Sequence, residues 1–456
     1  MAAPAFPPDW SSIEAARSAA LAVTMDRIAR AHPRYRQMLK EHGIAPADIR
    51  TTADLARIPV TSKAALLADP AAFQLDPAAM PEAPDEARTV WDTMYTTGST
   101  SGTPTPFVST TADFYDILIL QRRMLEIRGV GPDDRIASLF PLTRHPHGAF
   151  IRPLHAAASM NIPIVPCLPG NPSPLFALGQ DLDAVVDTLA RTRPTILWGV
   201  PSYLRRVLAH AAERAVALPE VRWLFVTGEG LSEEGRRELD ARLVAVRAAA
   251  ARVSISYGMT EIQGGLIECA PGTGYHNPLP EALAFDVVDP LTHAPVADGT
   301  AGLITLSHLR RSGTVLLRYV VGDLSVRTRE RCPHCGRTTE RFIRQPERAD
   351  DLVKIKGTLV NPARAIAAVE GVSAVRDFLF TVAKAAPGDA LAMDVLRLAV
   401  VLEPGADRGV PAAIAQRVKD AVGVTPAVEA MSPDAFAAAV GTGWKAKRFV
   451  DARARS

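Results

Sequence analysis

The stretch Tyr95-Thr96-Thr97-Gly98-Ser99-Thr100-Ser101-Gly102-Thr103-Pro104 holds eight glycine, serine and threonine residues in ten, and almost nothing that could fill a core. Glycine lets a backbone come close to a ligand. Successive N–H groups, joined by Ser and Thr hydroxyls, form a concave cradle for an anion. Such a loop suits a phosphate chain. A flexible linker would share the composition, but Trp91 and Met94 before it and Phe107-Val108 after it are not linker residues. The Gly-Lys-Ser/Thr ending of the common P-loop is absent.

Two more unusual segments follow apolar runs that read as strands. They are Thr227-Gly228-Glu229-Gly230 and Ser256-Tyr257-Gly258-Met259-Thr260-Glu261. Further on come Tyr319-Val320-Val321-Gly322-Asp323, Arg348-Ala349-Asp350-Asp351 and Lys354-Ile355-Lys356-Gly357. Taken in chain order, this set resembles the adenylate-forming superfamily of acyl-CoA synthetases, most closely its phenylacetate–CoA ligase branch. The resemblance runs from near Arg27 to Asp451.

The resemblance implies a role for each position. Thr97, Gly98, Ser99, Thr100, Ser101, Gly102 and Thr103 match the loop over the β- and γ-phosphates of ATP, although Gly98-Ser99 reverses the commoner order and Thr103 replaces a basic residue. Gly228, Glu229 and Gly230 match the segment beside adenine. Ser256, Tyr257, Gly258 and Met259 match the turn that meets the nucleotide, with Tyr257 against the adenine ring. Thr260 and Glu261 match the pair near the α-phosphate, Glu261 on Mg²⁺. Asp323 and Arg348 match the ribose contacts, Asp350 a hinge, and Lys354 to Gly357 the passage for the thiol. In Trp444-Lys445-Ala446-Lys447-Arg448, Lys445 matches the catalytic lysine, with Lys447 as the alternative two residues on; Trp444 replaces a glycine.

These residue types answer a physical difficulty. A carboxylate must meet a negatively charged triphosphate at the α-phosphorus, so catalysis is mostly positioning and charge stabilisation. An ammonium bridging the two anions supplies charge where repulsion is worst, and a carboxylate-held metal neutralises the phosphates. The acyl-adenylate then carries a good leaving group for attack by a thiol. The implied substrates are a carboxylic acid, aromatic by the preference of the branch, with ATP and coenzyme A. A carrier-protein thiol is the alternative acceptor. Outside the enzyme class, the alternative is a zinc-stabilised nucleotide-binding protein that has lost catalysis; Glu261, Asp323 and Lys445 together argue against it. Phe140, His145, His147 and Trp198, near strand ends, are the acid-pocket candidates.

Cys332-Pro333-His334-Cys335-Gly336 is a two-residue-spaced pair of the zinc-knuckle type. Cys269 and His276 stand in a Gly/Pro-rich loop. Similar pairs in the same branch hold one structural Zn²⁺, which makes Cys269, His276, Cys332 and Cys335 the expected closed tetrahedral set. Two unrelated thiols and a redox-inactive pair are the alternative. His334 is too cramped inside the knuckle to be preferred, and Cys167 reads as an ordinary buried thiol.

The elements that must position these residues follow from periodicity. Ile13 to Leu39 has helical spacing, and Asp69 to Arg88 reads as a surface crossing. From Asp113 to Ser256, helical and strand-like runs alternate, with strands expected at Arg135–Phe140, Asn161–Val165, Thr195–Trp198, Arg222–Val226 and Val253–Ser256. That pattern predicts an α/β fold with a parallel-rich sheet flanked by helices, whose ligands bind beyond the strand ends. Short runs at Leu303–Leu306, Val315–Tyr319 and Leu324–Arg327 predict a β-rich subdomain. Helix-like Pro362–Val369 and Pro411–Val422 alternate with strand-like Leu396–Leu402 and Ala427–Met431, predicting a small, mobile α+β C-terminal domain. The expected division is 1–347 and 348–456.

At 456 residues, with 48% hydrophobic and 22% charged, the chain has the composition of a multi-domain globular protein. A net charge of +2 favours no nucleic-acid partner, and no apolar run predicts a membrane span. The opening Met-Ala-Ala-Pro-Ala-Phe-Pro-Pro-Asp lacks a secretory pattern, so the cytoplasm is the expected compartment. A second copy of the chain is left open as a partner.

Overall fold

This computed structural model describes residues 5–96, 104–143, 147–170, 178–349, 352–386, 392–440 and 448–453. Its contacts divide the chain into two compact units. One is Met1–Asp134, Leu142–Ile164 and Ser254–Ala349; the other is Arg135–Pro141, Val165–Val253 and Asp350–Ser456.

The first unit opens on the helices Trp10–Ala31 and Pro33–Glu41, where the apolar spacing predicts them. Asp9 caps the first helix by accepting from the Ser12 N–H, and Ile13, Leu21, Met25 and Ile28 form its buried stripe. Asp69 to Arg88 is not the plain surface crossing expected. Phe73, Leu75 and Met80 are buried, and Phe73 packs edge-on against Tyr35. The proline- and alanine-rich composition conceals those anchors.

The hydroxyl-rich loop leaves a hairpin, Val90–Tyr95 antiparallel to Pro106–Thr110. Helix Thr111–Ile127 follows at once behind a capping box of Thr110 and Asp113. The Asp113 carboxylate also accepts from the N–H groups of Ser312 (2.7 Å) and Gly313 (2.8 Å), tying the helix start to a distant loop. Helix Gly148–Met160 escapes the periodicity because Pro153 lies inside it.

The main sheet of this unit runs Leu283–Val288, Ala301–His308, Tyr319–Thr328, Arg341–Phe342, Tyr275–His276, Gly264–Glu268 and Arg252–Met259, antiparallel at each pairing. Glu347–Arg348 also pairs with Tyr319–Thr328, setting Arg348 opposite Asp323. The expected strand Val315–Tyr319 does not form; the strand begins at Tyr319. The N–H groups before it go elsewhere: Val315 to the Phe73 carbonyl, Leu316 to His308 Nδ1 and Leu317 to the Tyr35 hydroxyl. Arg318 then turns left-handed at φ 47°. The apolar run signals burial rather than a ladder.

The second unit carries the parallel ladder that the alternation predicts: Ile136–Ser138, Ile196–Gly199 and Trp223–Val226. Every residue in these strands is buried, hence their continuous apolar runs. Helices Leu182–Thr192, Pro201–Glu213 and Glu233–Ala245 alternate with them, the first and last capped by Asp181 and Ser232. The strand expected at Asn161–Val165 forms at Ile164–Pro166.

Farther along the same unit, a four-stranded sheet is ordered Ala427–Ala430, Asp394–Leu402, Val375–Lys384, Phe449–Asp451. Its central pair is antiparallel and its outer pairs parallel. Helices Pro362–Glu370 and Val410–Val422 share a core with it through Val369, Phe380, Leu398, Ile414 and Val418. Glu370 accepts from Arg205 (2.9 Å) and from the Ser232 hydroxyl (2.5 Å). Arg205 also pairs with Glu238, Glu238 with Arg242, and Arg242 with Glu403 (3.0 Å). A Cβ on Gly235 would lie 2.8 Å from both Arg205 and Glu370, so the glycine leaves the room this ladder needs. Among the described residues, no helix is long and apolar enough to cross a membrane.

Candidate functional site

In the first unit, strand Arg252–Met259 runs into a short turn, Thr260–Ile262, closed by Gln263 at φ 57°. Glu261 sits in the middle of that turn and is partly buried. Burial raises its pKa above the ordinary 4.5; its own backbone N–H, the Tyr319 hydroxyl and the charges of Lys63 and Arg348 hold the rise in check. His308 is fully buried, and burial pushes its pKa well below 6.5. The neutral ring therefore has a fixed tautomer: Nδ1 accepts from the Leu316 N–H, and Nε2 donates to the Glu261 carbonyl at 3.0 Å.

Beside this turn, the Tyr257 hydroxyl donates to Asp323 at 2.5 Å, and Arg348 Nε stands 3.3 Å from the other Asp323 oxygen. Burial, followed by the Asp323 charge, lifts Tyr257 well above its usual value, so the phenol stays protonated. Gly322 precedes Asp323 at φ 93°, and a Cβ there would approach Arg348 Nη1 to 3.2 Å. Beneath the strand, buried Arg128 donates to the Ser254 hydroxyl (2.8 Å) and the Ser256 hydroxyl (2.5 Å). Ser256 is thereby engaged as support. Gly258 pairs with Gly265, where a Cβ would meet the Tyr257 carbonyl at 3.0 Å.

Cys269, His276, Cys332 and Cys335 come together in the same unit, their ligand atoms within 4.8 Å of one another. Cys269 Sγ lies 3.8 Å from Cys332 Sγ, and Cys335 Sγ lies 3.7 Å from His276 Nε2. The contact between the Cys269 and Cys335 side chains holds the Cys269 thiol up and Cys335 down, and His276 adds to the lowering of Cys335. His334 Nδ1 stands 3.5 Å from Cys269 Sγ, beside the four.

In the second unit, the Glu229 carboxylate accepts from the Ser202 N–H and hydroxyl (3.2 and 2.9 Å), and Gly228 takes φ 89°. Gly230 follows at the surface. Phe140 and Trp198 are buried there, Trp198 edge-on to Phe225. Lys354 lies in strand Val353–Ile355, whose hairpin with Thr358–Val360 turns through Lys356 (φ 50°) and Gly357 (φ 85°), the left-handed pair of a tight two-residue turn. Cys167 is buried, its thiol pushed up to about 12 by burial. His147 is buried in the first unit, just before helix Gly148–Met160. Thr97 to Thr103, His145, Asp350 and Lys445 lie outside the described residues. The stem of the phosphate loop is within them: Thr96 N–H bonds the Thr105 carbonyl (3.0 Å), and Thr105 N–H bonds Thr96 Oγ1 (2.9 Å).

Sequence reading passes over Lys63, Tyr319, Arg152 and Gln263. Tyr319 is inside the quoted Tyr319–Asp323 motif, four residues before its acid, and that spacing was the available signal. The others reach the Glu261 turn only through the fold.

Comparison with known proteins supplies a family. A model described as AMP-binding enzyme matches residues 13–310. The phenylacetate-coenzyme A ligase of Thermus thermophilus is 28% identical over 339 residues, 73% of this chain and 69% of the relative. That of Aromatoleum evansii is 26% identical over 442 residues, 92% of this chain and 90% of the relative. A crystal structure of 2-hydroxyisobutyryl-CoA ligase, in the postadenylation state with R3-HIB-AMP, superposes with a TM-score of 0.79. It is 22% identical, covering 99% of this chain and 92% of that one, and the likeness establishes the shared fold. With the family model spanning well over half its length, the chain belongs to the AMP-binding enzyme family.

Proposed function

We propose that the protein activates a carboxylic acid with ATP and passes the acyl group to the thiol of coenzyme A. The observation that carries this reading is the contact of Tyr257 and Arg348 with Asp323, and the place of Glu261 in the turn that ends the Tyr257 strand, in one unit of an AMP-binding enzyme. In the first step a carboxylate oxygen bonds to the α-phosphorus, the bond to the β-phosphate breaks, and pyrophosphate leaves. In the second, the thiol sulfur attacks the acyl carbon and AMP departs. The names of the relatives support an aromatic acid.

The residues divide the work. Tyr257 lies against adenine, its ring angle set by the bond to Asp323. An ionised carboxylate has about four acceptor sites, so Asp323 keeps capacity for ribose hydroxyls while holding Tyr257 and Arg348. Gly228 to Gly230 flank the base, and Thr97 to Thr103 cradle the outer phosphates. Glu261, beside Thr260, offers the carboxylate for Mg²⁺, which neutralises phosphate charge when bound. The cation at the reacting centre comes from the tail of the chain, where Lys445 offsets the repulsion between carboxylate and α-phosphate. Phe140, His145, His147 and Trp198 contribute to the acid pocket. Residues 348–456 form the small domain, hinged at Asp350, and Lys354 to Gly357 line the thiol passage. Cys269, His276, Cys332 and Cys335 fit a closed structural Zn²⁺ site, being three soft donors and one imidazole at tetrahedral reach. Such thiols suit a reducing compartment such as the cytoplasm.

A pyrophosphate-exchange screen over aromatic acids tests the reading; no exchange with any carboxylic acid would overturn it. Coenzyme A and a holo-carrier protein, offered separately to the adenylate, identify the acceptor. Lys445→Ala is expected to slow exchange on the order of 10²-fold, the usual loss for one charge-stabilising donor, with thiolysis of preformed adenylate retained. Wild-type exchange by that variant would remove Lys445 from the chemistry.

A further inference from the structure

Beneath the Glu261 turn lies a buried arginine without a part in the reaction as proposed. Arg152, on helix Gly148–Met160, is 3% exposed. Its Nη2 donates to Asp92 Oδ2 at 2.7 Å and to Gln263 Oε1 at 3.0 Å; Nε stands 3.3 Å from the same Gln263 oxygen. Nη1 lies 3.0 Å from His155 Nδ1. Burial brings His155 down to about 4, so the ring is neutral and Nδ1 accepts. One planar fork thus joins three elements.

Gln263 is bound on every side. It is 2% exposed and left-handed at φ 57°, a conformation uncommon outside glycine. Its Nε2 donates to the Thr260 carbonyl at 2.8 Å, its backbone N–H to the same carbonyl at 3.1 Å, and its own carbonyl accepts from Gln121 at 2.7 Å. The side chain and backbone of Gln263 therefore close the turn that has Glu261 at its centre. Asp92, at the other end of the fork, belongs to strand Val90–Tyr95, which leads into the Thr97–Thr103 loop.

We propose that Arg152 and Gln263 are positioning residues that set the Glu261 carboxylate in register with the stem of the phosphate loop. This rests on the reading of Glu261 and the loop given above, in which both grip one triphosphate. A guanidinium can hold Asp92 and Gln263 at once because its donors are fixed in a plane; an ammonium is a single point and does not reproduce the fork. Arg152→Lys keeps a cation opposite Asp92 and sacrifices the bond to Gln263. Gln263→Gly keeps the left-handed backbone and removes the amide.

The test titrates Mn²⁺ by electron paramagnetic resonance on the full chain with a non-hydrolysable ATP analogue bound. It is paired with the Mg²⁺ dependence of pyrophosphate exchange, thiolysis of preformed acyl-adenylate, and thermal melting. Each variant is expected to bind Mn²⁺ about 10-fold more weakly and to need about 10-fold more Mg²⁺, with thiolysis unchanged. Gln263→Gly already lacks the amide that Arg152 holds, as well as the bond from Nε2 to Thr260, so the double variant should be no worse than Gln263→Gly alone. Unaltered Mn²⁺ affinity in folded variants, or a loss shared equally by both half-reactions, would overturn the proposal while leaving the ligase reading intact. Absence of exchange in the wild-type protein would remove both.

Discussion

Glu261→Gln is expected to lower pyrophosphate exchange on the order of 10³-fold, because several kcal/mol of phosphate charge stabilisation depend on the metal its carboxylate holds. The same variant should melt no lower than the wild-type protein. The folded-state pKa of Glu261 is raised by burial, so between 4.5 and that raised value the native chain binds a proton that the unfolded chain releases. Stability from this group is therefore present at low pH and lost as pH rises through the window. Glutamine does not ionise, and its variant should lack this component of the pH dependence. Wild-type exchange should fail on acidification at a pH higher than an ordinary glutamate would give, and bound Mg²⁺ should move that limit downward by favouring the anion. Exchange by the variant at the wild-type rate would dismiss Glu261 as the metal's carboxylate.

Cys332→Ser is the second large expectation, on stability rather than rate. Cys332 is 2% exposed and within ligand distance of Cys269, His276 and Cys335. Structural zinc contributes on the order of 10 kcal/mol to the folding of small domains. Losing one thiolate from a four-ligand set should cost about 4 kcal/mol or more and lower the melting temperature by roughly 10 °C. Metal analysis should find one zinc per wild-type chain and a clear deficit in the variant. Cys167→Ser, a change in the other unit, should leave the zinc content alone. Purified wild-type protein free of zinc would rule the site out.

What could be read in advance divides along physical lines. The parallel ladder was legible because strands buried on both faces are continuous apolar runs, and Ile196–Gly199 and Trp223–Val226 are fully buried. Cys269 and His276 lie far along the chain from Cys332 and Cys335; the resemblance to the ligase branch implied one set, and the fold brings their ligand atoms within 4.8 Å of one another. The antiparallel sheet was only partly legible. Gly264–Glu268 opens on two glycines, which weaken a strand pattern, and the segment 315–317 satisfies its N–H groups with Phe73, His308 and Tyr35 instead of a neighbouring strand. Arg152 and Gln263 were invisible for a different reason. Their partnership spans 111 positions and depends on a left-handed backbone that no local pattern announces.

The alternating ladder from Glu370 through Arg205, Glu238 and Arg242 to Glu403 has a consequence for how residues 362–403 are attached. Its rungs are ions, so dissolved electrolyte loosens them, whereas an oily seam would tighten. The outer Glu403 rung should yield first and the enclosed Glu370 rung last, since screening reaches exposed charges most easily. Parting along this line uncovers groups that water welcomes, so the two faces can separate and meet again without becoming sticky.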